Sequence, residues 1–421
     1  MNRREFLALA TATAAGTVAR GAFGTEGSAK TAADGELFRA RPHLQLLGED
    51  RFGVVWMTSR PATGWIEWSQ DGGKTWTKVW TEEDGLRDAN GLVHRAIVEE
   101  GYDPHKPLVY RVHSRAFADF GHGFGERIKY DGDDVVIENR LGAVVFPDGS
   151  VSFLMVNDVH GAPGTCPTLM DYVKDPVSFT VFNGDMLNGV DNEDQIVKGI
   201  LGTMSLVSER TQAACWYLRG NHETRGELAR HLRDYLALPD GHYYGAVTMG
   251  DARIVFIDSG EDKADDNPSY GGLVDFDHYL QRQRRFLERE FASDAWKKAG
   301  VRIVITHIPP WFAYENNDKT WWRNGRAPRL DRFFDILNSA NVTLLICGHV
   351  HRCTYGDPFD KRKRFPEYRV YPIVAGGGPS RKAENPLNRP TLGRFTVKGK
   401  EVKATFVDID GKTVFTRIYK A

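Results

Sequence analysis

The sequence predicts a two-part molecule of mixed class: an N-terminal antiparallel β-sandwich followed by a larger α/β domain. Three observations carry that reading. Between residues 36 and 140, short apolar-alternating segments follow one another with turn signals and no helical period. From residue 144 the pattern changes to continuous apolar runs, as strands buried on both faces require. Helical periods lie between several of those runs, so strands and helices alternate. The chain has 421 residues, which is room for two or three domains. Lys plus Arg is 55 against 56 for Asp plus Glu, so no basic surplus offers a stable nucleic-acid partner or an anionic membrane a footing.

The first 22 residues read as an address. Arg3 and Arg4 precede an apolar stretch from Phe6 to about Ala19, with small residues after it, the order of an export signal. The arginine pair followed by Phe6 and Leu7 resembles the twin-arginine type, which exports folded proteins. That predicts the twin-arginine translocation machinery as a partner and a periplasmic or extracellular protein. The segment is either removed, leaving a mature form without a membrane span, or retained as an anchor. Residues 23–35 form a small-residue linker.

In the sandwich region the strand candidates are His43–Leu47, Phe52–Thr58, Trp65–Ser69, Thr75–Trp80, Arg95–Glu99 and Leu108–Ser114, with Asp71, Gly72 and Gly73 as one of the turns. The stretch Tyr102–Val112 resembles the late strands of a fibronectin type III module. No nucleophile or metal-ligand cluster occurs there, so the region reads as scaffold. In the second region, 144–390, the continuous runs are Val151–Val156, Phe179–Phe182, Ala214–Leu218, Ile254–Ile257, Val301–Ile305 and Val342–Ile346. Leu280, Leu287 and Phe291 recur at near-helical spacing across Tyr279–Lys298, and Asp331–Ser339 shows a shorter version. Residues 391–421 return to strand patterns, with hairpin turns at Gly399 and Gly411. Cys166, Cys215, Cys347 and Cys353 form no CxxC pair, and Cys347, at the end of an apolar run, reads as a buried thiol.

The chemistry lies just past the strand ends. Asn157-Asp158-Val159-His160-Gly161 follows the first run, and Asn183-Gly184-Asp185 the second. Gly220-Asn221-His222-Glu223, Thr306-His307 and Gly348-His349-Val350-His351 follow later ones. In a parallel sheet such strand exits share one edge. The His, Asp and Asn side chains gathered there would be costly to desolvate without a cation among them, so the pattern predicts a metal site.

These five ordered blocks, spanning roughly residues 150–352, resemble the calcineurin-like metallophosphoesterase superfamily. With a fibronectin-like region ahead of them, they look like its purple acid phosphatase branch. The resemblance implies a four-layer α/β/β/α catalytic domain, two facing sheets flanked by helices. It also implies two divalent ions: Asp158, His160 and His351 would hold the first, Asn221, His307 and His349 the second, and Asp185 would bridge both. His222 would act on the substrate as the catalytic side chain, with Asn221 beside it. Two such ions clamp a phosphate and activate water for in-line attack. Nitrogen and oxygen ligands without thiolate suit Zn, Fe or Mn.

One departure bears on the branch. The position where purple acid phosphatases carry a tyrosine ligand is Asn188, and His160 stands where that branch usually has glycine. Imidazole in place of tyrosinate disfavours ferric iron, so a colourless enzyme with two divalent ions is expected. Phosphomonoesters are the first expected substrates and small phosphodiesters or nucleotides the second. A third reading, an inactive glycan- or cell-wall-binding protein, conflicts with the presence of every ligand position. Trp311, Phe312, Tyr314, Trp321, Trp322 and Arg323 either pack over the sheet or rim the pocket. Ser259–Asp277 reads as a solvated loop or a lid, and Lys361–Arg364 as a solvated turn. Gly376-Gly377-Gly378 reads as a tight turn that brings backbone close to the site.

Overall fold

A computed structural model describes residues 37–89, 91–121, 127–310, 330–358 and 370–421. The export signal and linker, the aromatic cluster at 311–323 and the basic run at 361–364 lie outside the described residues.

Two sheets face each other. The larger has nine strands, in the spatial order Thr413–Lys420, Glu401–Asp408, Thr391–Lys398, Val151–Val156, Phe179–Asn183, Ala214–Leu218, Phe38–Leu46, Phe52–Thr58, Val93–Val98. The smaller has six, in the order Gly245–Met249, Ala252–Ile257, Val301–Thr306, Leu344–Cys347, Ile373–Ala375, Thr354–Gly356. The central strands of both pair in parallel. Their continuous apolar runs serve two cores at once, because alternate residues point to opposite faces. Phe153, Met155 and Trp216 meet Phe256, Ile303 and Leu344 between the sheets, and Trp216 stacks on Phe256 at 3.9 Å. Leu154, Val156 and Phe182 face the helical side formed by Ile196–Leu201 and Gly202–Thr211. Val255, Val304 and Leu345 face Phe276–Ala292 and Phe334–Ser339. The result is the expected four layers.

The sandwich is present, but one of its two sheets is shared. Ala62–Ser69, Thr77–Trp80, Leu108–Asp119, Lys129–Tyr130 and Val135–Leu141 form a separate five-stranded sheet. It packs on Phe38–Leu46, Phe52–Thr58 and Val93–Val98, with Trp56 Nε1 donating to Ser114 Oγ at 2.8 Å. Those three strands also continue the nine-stranded sheet, where Phe38–Leu46 runs parallel to Ala214–Leu218 with Gln45 opposite Cys215. The hydrogen-bonded sheet is therefore continuous from these N-terminal strands into the strands beyond residue 144. The physical reason is burial on both faces: Phe52–Thr58 is buried at all seven positions.

Smaller departures have local causes. The helix expected across 279–298 breaks at Ser293, which is extended and accepts the Trp296 N–H on its hydroxyl, so a second short helix, Asp294–Lys298, starts there. Thr391–Lys398 pairs antiparallel with Val151–Val156, so the C-terminal strands extend the large sheet. All four cysteines are free and buried. Among the described residues no helix is long and apolar enough to cross a membrane.

His43, on Phe38–Leu46, is fully buried, its Nδ1 3.3 Å from Ser205 Oγ. Burial lowers its pKa from 6.5 to about 4. The unfolded chain binds this proton between those values and the folded chain does not. Stability is therefore complete above pH 6.5 and falls as pH drops toward 4, by up to roughly 3 kcal/mol. His43→Gln should flatten this limb in urea unfolding at pH 7 and pH 5; an unchanged pH dependence would assign the acid sensitivity elsewhere.

Candidate metal centre

The five polar blocks come from two sheets rather than one. The exits of Val151–Val156, Phe179–Asn183 and Ala214–Leu218 carry Asp158, His160, Asp185, Asn221 and His222. The exits of Val301–Thr306 and Leu344–Cys347, on the facing sheet, carry His307, His349 and His351. The edges meet, and the ligand-type atoms fall into two overlapping groups. Asp158, His160, Asp185 and His351 form one, and Asp185, His307 and His349 the other, each within a span of 4.8 Å. Asp185 belongs to both.

The backbone bends sharply to place them. Asp158, His160, Asp185, His349 and His351 all have positive φ, between 50° and 66°. A non-glycine residue held there costs on the order of 1 kcal/mol, strain that persists where surrounding structure enforces it and that gathers at functional sites. Glycine makes the close approaches possible. A Cβ on Gly220 would sit 2.2 Å from Asp185 Oδ1, and one on Gly378 would sit 2.6 Å from the His351 Cβ. The triple-glycine turn thus brings backbone against the site, as its sequence suggested.

Hydrogen bonds fix which nitrogen each imidazole presents. His307 Nδ1 donates to the Asn183 carbonyl at 2.7 Å, leaving Nε2 facing Asp185 Oδ2 at 3.1 Å. His160 Nδ1 bonds Asn188 Oδ1 at 3.0 Å, which turns its Nε2 toward Asp158 and Asp185, at 3.8 and 3.7 Å. His351 Nε2 lies 3.1 Å from that same nitrogen and 3.2 Å from Asp158 Oδ1. His222 Nδ1 donates to the Asn188 carbonyl at 2.9 Å, and its Nε2 is 3.9 Å from Asp185 Oδ2. Second partners of this kind set ligand tautomer and orientation in metal sites.

The electrostatics follow from burial against mutual attraction. Burial alone would raise the Asp158 carboxyl, but His160 and His351 hold it well below the usual range. Asp185 is likewise brought to about 2 against its burial, chiefly by His307. His307, pushed down by burial, is carried up to about 10 by Asp185. His349, buried and beside His307, falls to about 3. Without a metal, an imidazolium therefore sets one positive charge against two buried carboxylates and balances them in part. A divalent ion would supply that balance instead and release the proton. The donor set fits one: Asn221 Oδ1 is buried and makes no hydrogen bond among the described residues, although it is a strong acceptor.

Three further residues support the site, and local sequence does not mark them as contributors. Asn188, which stands at the tyrosine position, orients His160 with its side chain and His222 with its carbonyl. Glu223 is fully buried and accepts the N–H groups of Asp185, Leu187 and Gly220, at 2.8, 2.9 and 2.8 Å. Arg225 lies beside His222, with its Nη1 3.4 Å from Nε2. The Ser259–Asp277 loop begins buried rather than solvated, from Ser259 to Asp262, and supplies the Glu261 that Arg225 binds.

Residues 151–353 match the family described as calcineurin-like phosphoesterase. Among solved structures the chain is similar to purple acid phosphatase PPD1 from yellow lupin (Lupinus luteus) seeds, with a TM-score of 0.60 and 13% identity over 90% of this chain and 73% of that one. It is similar to PhoD with a TM-score of 0.60 and 11% identity over 90% of this chain and 92% of that one. At such identities the likeness is one of fold. No curated protein matches.

Proposed function

The chain carries a calcineurin-like phosphoesterase domain, a metal-dependent phosphoester hydrolase, and from that premise we propose that it is an exported phosphomonoesterase working with two divalent ions. The observation that carries the reading is the pair of overlapping ligand groups sharing Asp185. Asp158, His160 and His351 would hold one ion, Asn221, His307 and His349 the other, and Asp185 both. Bound there, the ions would supply Lewis-acid charge for the phosphoryl oxygens and lower the pKa of water for attack. Zn, Fe or Mn suit the nitrogen and oxygen donors. Export is supported by the arginine pair before the apolar N-terminal stretch.

The protein's own groups orient the ester. Asn188 and Glu223 fix the loops that carry His160, Asp185 and His222. His222 is partly open to solvent, with its side chain 25% exposed, and its Nε2 points toward the ligand groups. Burial lowers its pKa, and Asp185 opposes that effect. An incoming phosphate dianion adds to the opposing charge and favours the protonated ring. Nε2–H then donates to the departing oxygen.

His222→Ala should keep its metal and lose roughly 100-fold in kcat, with the largest loss on esters of poorly acidic alcohols. Loss of metal from that variant would make His222 a ligand instead. The function itself is tested by kcat/KM of the metal-replete protein on 4-nitrophenyl phosphate and on its bis ester. A monoester preference is expected. A strong diester preference would replace the reading with a phosphodiesterase, and no turnover of either would remove the hydrolase.

A further inference from the structure

At the open side of the cluster stands a guanidinium that the ligand pattern does not use. Arg225 follows the short helix His222–Thr224, and its backbone is tied to the loop that holds His222: the Arg225 carbonyl accepts the Val190 N–H at 2.8 Å. Its side chain is 32% exposed and anchored from behind by Glu261, whose side chain is fully buried. Glu261 takes Nε at 2.6 Å and Nη2 at 2.9 Å, a two-point grip that fixes the plane of the guanidinium. Thr224 Oγ1 donates to the same carboxylate at 3.0 Å. Asp262 lies 3.5 Å from Nη2 and pairs with Lys263 at 2.8 Å, so the charges behind Arg225 are already balanced. Nη1 takes no part in the Glu261 grip. It lies 3.4 Å from His222 Nε2, the nitrogen that faces Asp185.

We propose that Arg225 is a substrate-binding residue whose Nη1 donates to a non-bridging oxygen of the phosphoryl group, and that Glu261 is its positioning residue. The inference rests on the phosphoesterase reading and narrows it to the terminal phosphate of a monoester. The geometry fits that class. A monoester dianion offers three non-bridging oxygens and two negative charges, a diester two oxygens and one charge. A fixed N–H donor on a guanidinium gains more from the former. Arg225 is held in place before substrate arrives, so little side-chain entropy is lost on binding. The 3.4 Å contact with His222 is long enough for a phosphoryl oxygen to replace it without losing a strong bond.

The test uses the full-length metal-replete protein with orthophosphate and 4-nitrophenyl phosphate as probes. Arg225→Met should weaken orthophosphate binding by calorimetry and raise KM for the monoester, each by at least about fivefold, with metal content unchanged. The ratio of monoester to diester kcat/KM should fall. Arg225→Lys should recover part of the binding, because it restores charge but not the fork. Arg225→Met leaves the buried Glu261 unpaired, so the double variant Arg225→Met with Glu261→Gln is read in the same way if the single one is unstable. Glu261→Gln alone should raise KM by a smaller factor and leave kcat near wild type.

Orthophosphate affinity within fivefold of wild type in a folded, metal-replete variant would overturn the proposal, leaving Arg225 a loop anchor. Failure of the function reading looks different: the wild type would turn over no ester, while orthophosphate calorimetry still reports on Arg225.

Discussion

Asp185→Asn is expected to lower kcat/KM by about three orders of magnitude or more and to leave the protein with less metal than wild type. The substitution is nearly isosteric. An asparagine oxygen can still accept the His222 backbone N–H that Asp185 Oδ1 accepts at 2.9 Å. What it removes is one negative charge from the only carboxylate common to both ligand groups. His307, carried up to about 10 by that carboxylate against its own burial, would lose its chief partner. The expected signature is therefore joint: metal content, activity and the upward shift of His307 fall together. Metal analysis of the purified variant, alongside turnover of 4-nitrophenyl phosphate, checks it. Full activity with full metal would mean that Asp185 bridges nothing. Loss of activity with both ions retained would make it a proton-handling group.

Much of this centre could be read from residues alone, because its signal is local. An apolar run that ends in aspartate, asparagine or histidine beside glycine marks a buried strand whose exit must turn at once. Five such exits in order leave few arrangements other than convergence. The shared sheet was less legible. Phe52–Thr58 and Phe38–Leu46 lie among strands that alternate, and the strand that pairs with Phe38–Leu46 on its other edge, Ala214–Leu218, is about 170 residues away. Short-range patterning shows that a strand is buried but not which strand covers its edge. The continuous burial of Phe52–Thr58 was the available sign, since a strand of an isolated two-layer sandwich would show one solvated face.

The helpers of the site were hidden for a different reason. Glu223 acts through backbone N–H groups, which carry no residue identity, and Asn188 and Arg225 act through side chains distant in sequence or on another loop. Glu223 in particular, next to His222 on a short turn, reads in sequence as an ordinary acidic residue. Only the fold shows that it faces inward, toward three N–H donors from two different strand exits. Arg225 gains its meaning from Glu261, 36 residues on and in a loop that composition marked as solvated.

Those three donors make Glu223 the second position where a large effect is expected. The carboxylate lies between the loop after Phe179–Asn183, which carries Asp185, and the loop after Ala214–Leu218, which carries Asn221 and His222. Oε2 accepts from Asp185 and Gly220, and Oε1 from Leu187. Burial and the nearby Asp185 push its pKa up to about 7, with the N–H donors pulling the other way. Glu223→Ala would leave all three N–H groups buried without an acceptor. At about 1–3 kcal/mol for each unsatisfied group, and allowing for partial relaxation, the loss should be about 3–5 kcal/mol. Glu223→Gln should be milder, because its amide oxygen can keep the Asp185 and Gly220 bonds and forfeit only that of Leu187. The order is thus wild type, then Gln, then Ala, in urea midpoint and in metal retention alike, since the same two loops set both. An alanine variant within 1 kcal/mol of wild type would show that water reaches these N–H groups. One that is destabilised but binds metal normally would separate the loops' stability from the geometry of the site.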